Sequence, residues 1–92
     1  MSVLGNPEDQ GTISVTTTAA ETEITQGLQG IEFVNMGSAD VYYGKLSTLT
    51  SARGAPIFSN GGRRTFENIP SGWKISFLTA SGTSTLRIIH YK

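Results

Sequence analysis

The chain has 92 residues and a mass of 9.8 kDa, enough for one compact unit and too little for a two-domain enzyme. Seven Lys plus Arg balance seven Asp plus Glu, so the net charge is zero, without the basic density that neutralising nucleic-acid phosphates demands. The absence of cysteine excludes disulfide scaffolds, thiol catalysis and thiolate zinc sites.

Residues 1–11 are polar, include Gly5, Asn6 and Pro7, and show no alternation. They are expected to form a loose arm that orders on a neighbour, with residues 12–92 as a single domain. Because this start is not a charged flank followed by an apolar run, no signal peptide is expected. No run of about 18 apolar residues is present to cross a bilayer as a helix, so no membrane partner is expected. The expectation is a product made in a cytoplasm that reaches its destination folded.

Residues 12–18 alternate, with Ile13 and Val15 on one face, as a half-buried strand does. Residues 19–26 contain helix formers, but the Thr content and Ile24 between Glu23 and Thr25 favour a second short strand. In residues 30–36, Ile31 and Phe33 face one way and Val34 and Met36 the other, so both faces are expected to be covered. Gly37 and Ser38 turn the chain into a strand over 40–44, in which Tyr42 and Tyr43 point to opposite sides and one reaches the surface. Residues 45–60 form a long connection interrupted by Leu46, Leu49, Ile57 and Phe58, and such a length in a small domain implies a structured or functional loop.

After Gly61 and Gly62, residues 63–67 read as a strand around Phe66. Ile69, Pro70, Ser71 and Gly72 then turn into a segment whose Trp73, Ile75 and Phe77 share the core face. The turn Ala80, Ser81, Gly82, Thr83 predicts a hairpin to a strand over 85–91, with Leu86 and Ile88 on one side and Arg87, Ile89 and Tyr91 on the other. Seven to eight short antiparallel strands, with turn signals about every ten residues, define an all-β chain: a small β-sandwich or jelly-roll-like barrel.

No residue set points to catalysis, and no cofactor or metal is expected. His90 is the only conventional triad base, there is no Gly-x-Ser-x-Gly turn, and alternation with Leu86 and Ile88 makes His90 a packed or edge histidine. Glu21 and Glu23 share a strand face, as solvated acids rather than carboxyls facing across a cleft. No ligand-spaced cluster suits a divalent ion. Gly61, Gly62, Arg63 and Arg64 lack the Lys and Ser/Thr of a phosphate loop. They read as a glycine turn followed by arginines on opposite faces, at least one of them reaching outward, for solvent or for a neighbour's carboxylate. Trp73 is expected under the sheet, and the outward member of Tyr42 and Tyr43 is the better candidate for a protein or sugar surface.

The run GIEFVNMGSADVYYG from Gly30 to Gly44, the Gly54-Ala55-Pro56 step, FENIPSGW from Phe66 to Trp73 and the closing LRIIHYK resemble the small β-sandwich structural proteins of tailed bacteriophages and prophages. The shared features are an Asn-x-Gly-Ser turn before a Val-Tyr-Tyr-Gly strand, a Gly-x-Pro in the mid-chain loop and an aromatic near the end of the last strand. The likeness covers roughly residues 22 to 92. It implies a virion component, either a capsid decoration subunit or a head-fibre or tail part, with the terminal arm gripping a shell or a sister subunit.

The residues themselves agree with that role. Ten Ser, twelve Thr and only 15% charged residues give a surface that packs against protein without desolvating ions. Apolar residues on both sides of 31–36 and 86–91 exceed what one thin core accepts, so a partner is expected to cover the excess: copies of the chain, as a trimer or dimer, and a major capsid or other virion protein. Asn6, Pro7, Tyr42, Tyr43 and Arg53 are candidate interface residues. Arg63, Arg64, Ile89 and Tyr91 complete the set. The alternative is a carbohydrate-binding or fibre-tip adhesin module that uses the exposed tyrosine with the 45–60 loop.

Overall fold

The structure, a computed structural model, describes residues 6–92. It is all-β, with eight antiparallel strands: β1 (Pro7–Val15), β2 (Ala20–Ile24), β3 (Leu28–Asn35), β4 (Val41–Gly44), β5 (Ala55–Ile57), β6 (Arg63–Ile69), β7 (Trp73–Thr79) and β8 (Ser84–Tyr91). They form two four-stranded sheets, ordered β1-β8-β3-β6 and β2-β7-β4-β5. That order is the jelly-roll arrangement: every connection but β4 to β5 carries the chain from one sheet to the other.

The core lies between the sheets and follows the alternation of the strands. Ile31, Phe33, Leu86 and Ile88 point inward from one sheet, and Val41, Ile57, Ile75 and Phe77 from the other. At the centre the rings of Phe33 and Phe77 meet edge to face, 4.9 Å between centroids. Phe66 extends this contact toward the β5/β6 side, touching Phe33, Tyr43 and Trp73 at 6.2, 5.4 and 5.3 Å. Edge-to-face aromatic pairs contribute roughly 0.5–1.5 kcal/mol each beyond their buried area, a useful supplement for so thin a core.

Three sequence expectations need correction. First, β7 and β8 do not form a hairpin. β7 pairs with β2 and β4, β8 with β1 and β3, and residues 80–83 arch between sheets. Inward residues at every second position satisfy an arch as well as a hairpin, so periodicity does not distinguish them. Second, the 45–60 connection contains the short strand β5, which pairs Ala55 and Ile57 with Tyr43 and Val41. Its Pro56 lacks an N–H and is tolerated because β5 is an edge strand.

Third, the expected arm at 1–11 is strand from Pro7 onward. Pro7, Glu8 and Asp9 pair with Tyr91, His90 and Ile89. The missing alternation has a cause: Gln10 and Gly11 sit together in a bulge before pairing resumes at Thr12. Gly11 takes φ +87° there, and its N–H is bound by Asp9 Oδ1 at 2.7 Å. A bulge shifts the side-chain phase by one residue and so hides a strand from a period-two reading. Residues 1–5 of the expected arm lie outside the described residues.

Candidate functional site

Of the residues singled out in the sequence, Pro7, Arg63, Ile89 and Tyr91 gather on the outward side of the β1-β8-β3-β6 sheet. The register generates its rows: Pro7, Tyr91, Gly30 and Glu67 across one, Asp9, Ile89, Glu32 and Thr65 across the next, then Thr12, Arg87, Val34 and Arg63. Ile89 and Tyr91 are half-buried and Pro7 is exposed. Met36, one step past β3 on the same side by alternation, is 54% exposed and its N–H is bound to the Thr85 carbonyl at 2.8 Å. Val34 is only 8% exposed. It is flanked in register by Arg63 and Arg87, whose methylene stems can cover it. The apolar excess expected on this face is thus partly absorbed within the chain itself.

Ion pairs frame the apolar row. Arg87 donates to Asp9 Oδ2. Arg63 lies 3.7 Å from Glu32 Oε2, which also accepts from Thr65 Oγ1 at 3.3 Å. The Asp9 carboxyl is held below its ordinary value of 3.8, first by the Gly11 N–H and then by Arg87, against some loss of water. Exposed pairs of this kind add little to stability, because solvent screens them. Their effect is to fix the arginine stems.

The remaining candidates lie elsewhere. Tyr43 points inward and packs on the core. Arg64 stands over the Phe66 ring at 5.3 Å, capping the core edge. Arg53 is exposed on the 45–54 loop, where its N–H is bound to the Thr50 carbonyl. Asn6 is exposed just before β1. His90 is half-buried on the inner side, opposite Glu8. Its Nδ1 is buried without a hydrogen-bond partner among the described residues, and burial followed by the Lys92 ammonium pushes its pKa below the ordinary 6.5, with Glu8 pulling the other way. Glu8 is itself held below its ordinary 4.5 by Gln10 and Lys92.

The comparisons with known proteins decide nothing further. No family model, no curated protein and no solved structure matches the chain.

A second feature lies at the end of the sandwich where the β3–β4, β5–β6 and β7–β8 connections meet. Tyr42, the outward tyrosine, joins Ser38, Asp40, Ser81, Gly82 and Thr83 around a groove of about 560 Å³. These connections are joined by Asn35, a fully buried side chain that the sequence places in a turn but does not single out as a structural centre. Its Nδ2 donates to the carbonyls of Ala39 and Ile57 at 2.8 and 3.0 Å. Its Oδ1 accepts from the Gly37 N–H at 3.0 Å and from Ser84 Oγ at 2.6 Å. All four hydrogen-bonding positions of the amide are used. Gly37 must be glycine, because a Cβ there would collide with Ser84. The signal for this centre is Asn-x-Gly, in which the asparagine oxygen binds the N–H two residues on.

Proposed function

We propose that the chain is a non-enzymatic structural subunit of a tailed-phage virion, a capsid decoration or cementing protein that associates with copies of itself and with the shell. The carrying observation is the outer face of the β1-β8-β3-β6 sheet, where Pro7, Met36, Ile89 and Tyr91 present partly exposed apolar surface at positions that a solvated antiparallel sheet fills with polar residues. The partner assigned to this face is a second copy, as a trimer or dimer. A standard contact of about 800 Å² per subunit would supplement the thin core. The likeness over roughly residues 22 to 92 supports the virion assignment. So does the jelly-roll order, an architecture of viral capsid domains as well as lectins, although fold alone assigns no function. On this reading the protein is made in the host bacterial cytoplasm and resides in the virion.

Light scattering of the purified protein, with Ile89→Glu and Tyr91→Arg variants, tests the self-association. The expected result is an oligomer that both substitutions convert to a folded monomer. Co-sedimentation with phage shells assembled without the protein tests docking. A strict monomer at high concentration that ignores such shells overturns the reading.

A further inference from the structure

We infer that the groove at the Tyr42 end of the sandwich is a binding site for a neutral pyranose sugar. Its volume, about 560 Å³, falls in the range of small-molecule sites, roughly 300–1,000 Å³. A pyranose ring has an apolar C–H face and a rim of hydroxyls. The lining is mainly polar, with the Asp40 carboxylate and the Ser38, Ser81 and Thr83 hydroxyls to match the hydroxyl rim, and it includes Tyr42, the one aromatic among the described lining residues on which the C–H face can stack. Asp40 is held in place and only half used. Its Oδ1 accepts the Ser59 N–H at 2.8 Å, while Oδ2 has no partner among the described residues and can take sugar hydroxyls through charge-assisted bonds.

The groove is also built in advance. The Asn35 hydrogen bonds to Ala39 and Gly37 fix the β3–β4 turn that carries Asp40. On the opposite wall Thr79 Oγ1 donates to the Gly82 carbonyl at 2.6 Å, fixing the β7–β8 arch, where Gly82 takes φ +69°. A site held by its own scaffold loses little entropy on binding. Charge narrows the ligand class. Asp40 lines the groove with no Lys or Arg among the described lining residues, so the local potential is negative and disfavours sialylated or phosphorylated sugars.

A ligand of about a dozen non-hydrogen atoms held by these contacts binds in the millimolar range. The experiment is therefore a ¹⁵N–¹H NMR titration of the full chain with methyl glycosides of glucose, galactose, mannose and N-acetylglucosamine at tens of millimolar, in EDTA, with N-acetylneuraminic acid as the anionic comparison. Shifts confined to residues 38–42 and 80–83, produced by at least one neutral sugar and not by the acid, are expected. Ser81→Trp, on an exposed turn, should fill the groove and weaken binding at least tenfold. Tyr42→Ala should do the same, and Tyr42→Phe, which keeps the ring, should retain binding. Silence toward all four sugars, binding that survives Ser81→Trp, or binding that appears only when EDTA is replaced by calcium each overturns the proposal. The groove is separate from the face altered by Ile89→Glu and Tyr91→Arg, so the two readings fail independently.

Discussion

Replacing Asn35 by alanine isolates the joint that holds one end of the sandwich together. The substitution deletes four side-chain hydrogen bonds at a fully buried position and strands the carbonyls of Ala39 and Ile57, the Gly37 N–H and Ser84 Oγ. At about 1 kcal/mol net per hydrogen bond, with more for each group left dry, the four sum to at least about 4 kcal/mol. Water entering at the turn offsets part of this, so the expected loss is roughly 3–5 kcal/mol. A domain of this length has roughly 5–14 kcal/mol in total, and each kcal/mol moves Tm by about 4–8 °C. The variant should melt at least about 12 °C lower. Urea denaturation followed by tryptophan fluorescence and circular dichroism gives the free energy, and an unchanged m-value shows that the same surface still unfolds. A double-mutant cycle with Ser84→Ala separates the Asn35–Ser84 contact from the rest. A loss under about 1 kcal/mol with wild-type m would refute the claim that this amide clamps three connections.

Two further outcomes concern other parts of the molecule. His90 is kept below its ordinary pKa by burial, so the unfolded chain binds a proton before the folded one does. Stability should fall as pH drops below about 6.5 toward the folded value, and His90→Gln should flatten that part of the curve in thermal melts at a series of pH values; an unchanged slope rejects the assignment. Leu49, 8% exposed, pins the 45–54 loop by seating its Cδ1 against Gly44 and Gly54, where glycine leaves the room it needs. Leu49→Ala should cost about 2 kcal/mol, at the low end for a buried leucine because the loop can relax. Hydrogen exchange should quicken in residues 45–54, and unchanged protection there counts against the packing.

The sequence is most readable where period two is unbroken. Ile31 with Phe33, Trp73 through Phe77 and Leu86 with Ile88 each announce both a strand and its buried side. It is least readable where geometry departs from that period: the Gln10-Gly11 bulge conceals half of β1, and three-residue β5 with its proline resembles loop. Pairing partners are not local information. The residues that make β7 and β8 strands are the same whether the pair forms a hairpin or an arch, and only the completed sandwich selects the arch. At the candidate sites, the outward face containing Ile89 and Tyr91 follows directly from alternation. The opposed fates of Tyr42 and Tyr43 are forced, and Tyr43 shares the face of buried Val41, whereas its packing on Phe66, far away in sequence, is not written locally. Arg53 carries no positional signal beyond its charge, and alternation opposes Arg64 to Arg63 without revealing the Phe66 ring that Arg64 stands over. Asp40 and Asn35 owe their roles to the convergence of three connections, of which only Asn-x-Gly is written locally.

The pairing of Pro7 with Tyr91, and the place of β8 between β1 and β3, have a kinetic corollary. One whole layer waits on a segment that must find two partners remote along the polymer, so loop-closure entropy is lost before native contacts repay it. Until that segment docks, β1 and β3 each present a bare ladder edge to any neighbouring chain. Refolding yield should therefore depend more steeply on protein concentration than final stability does, and the crowded interval before docking is when aggregation competes.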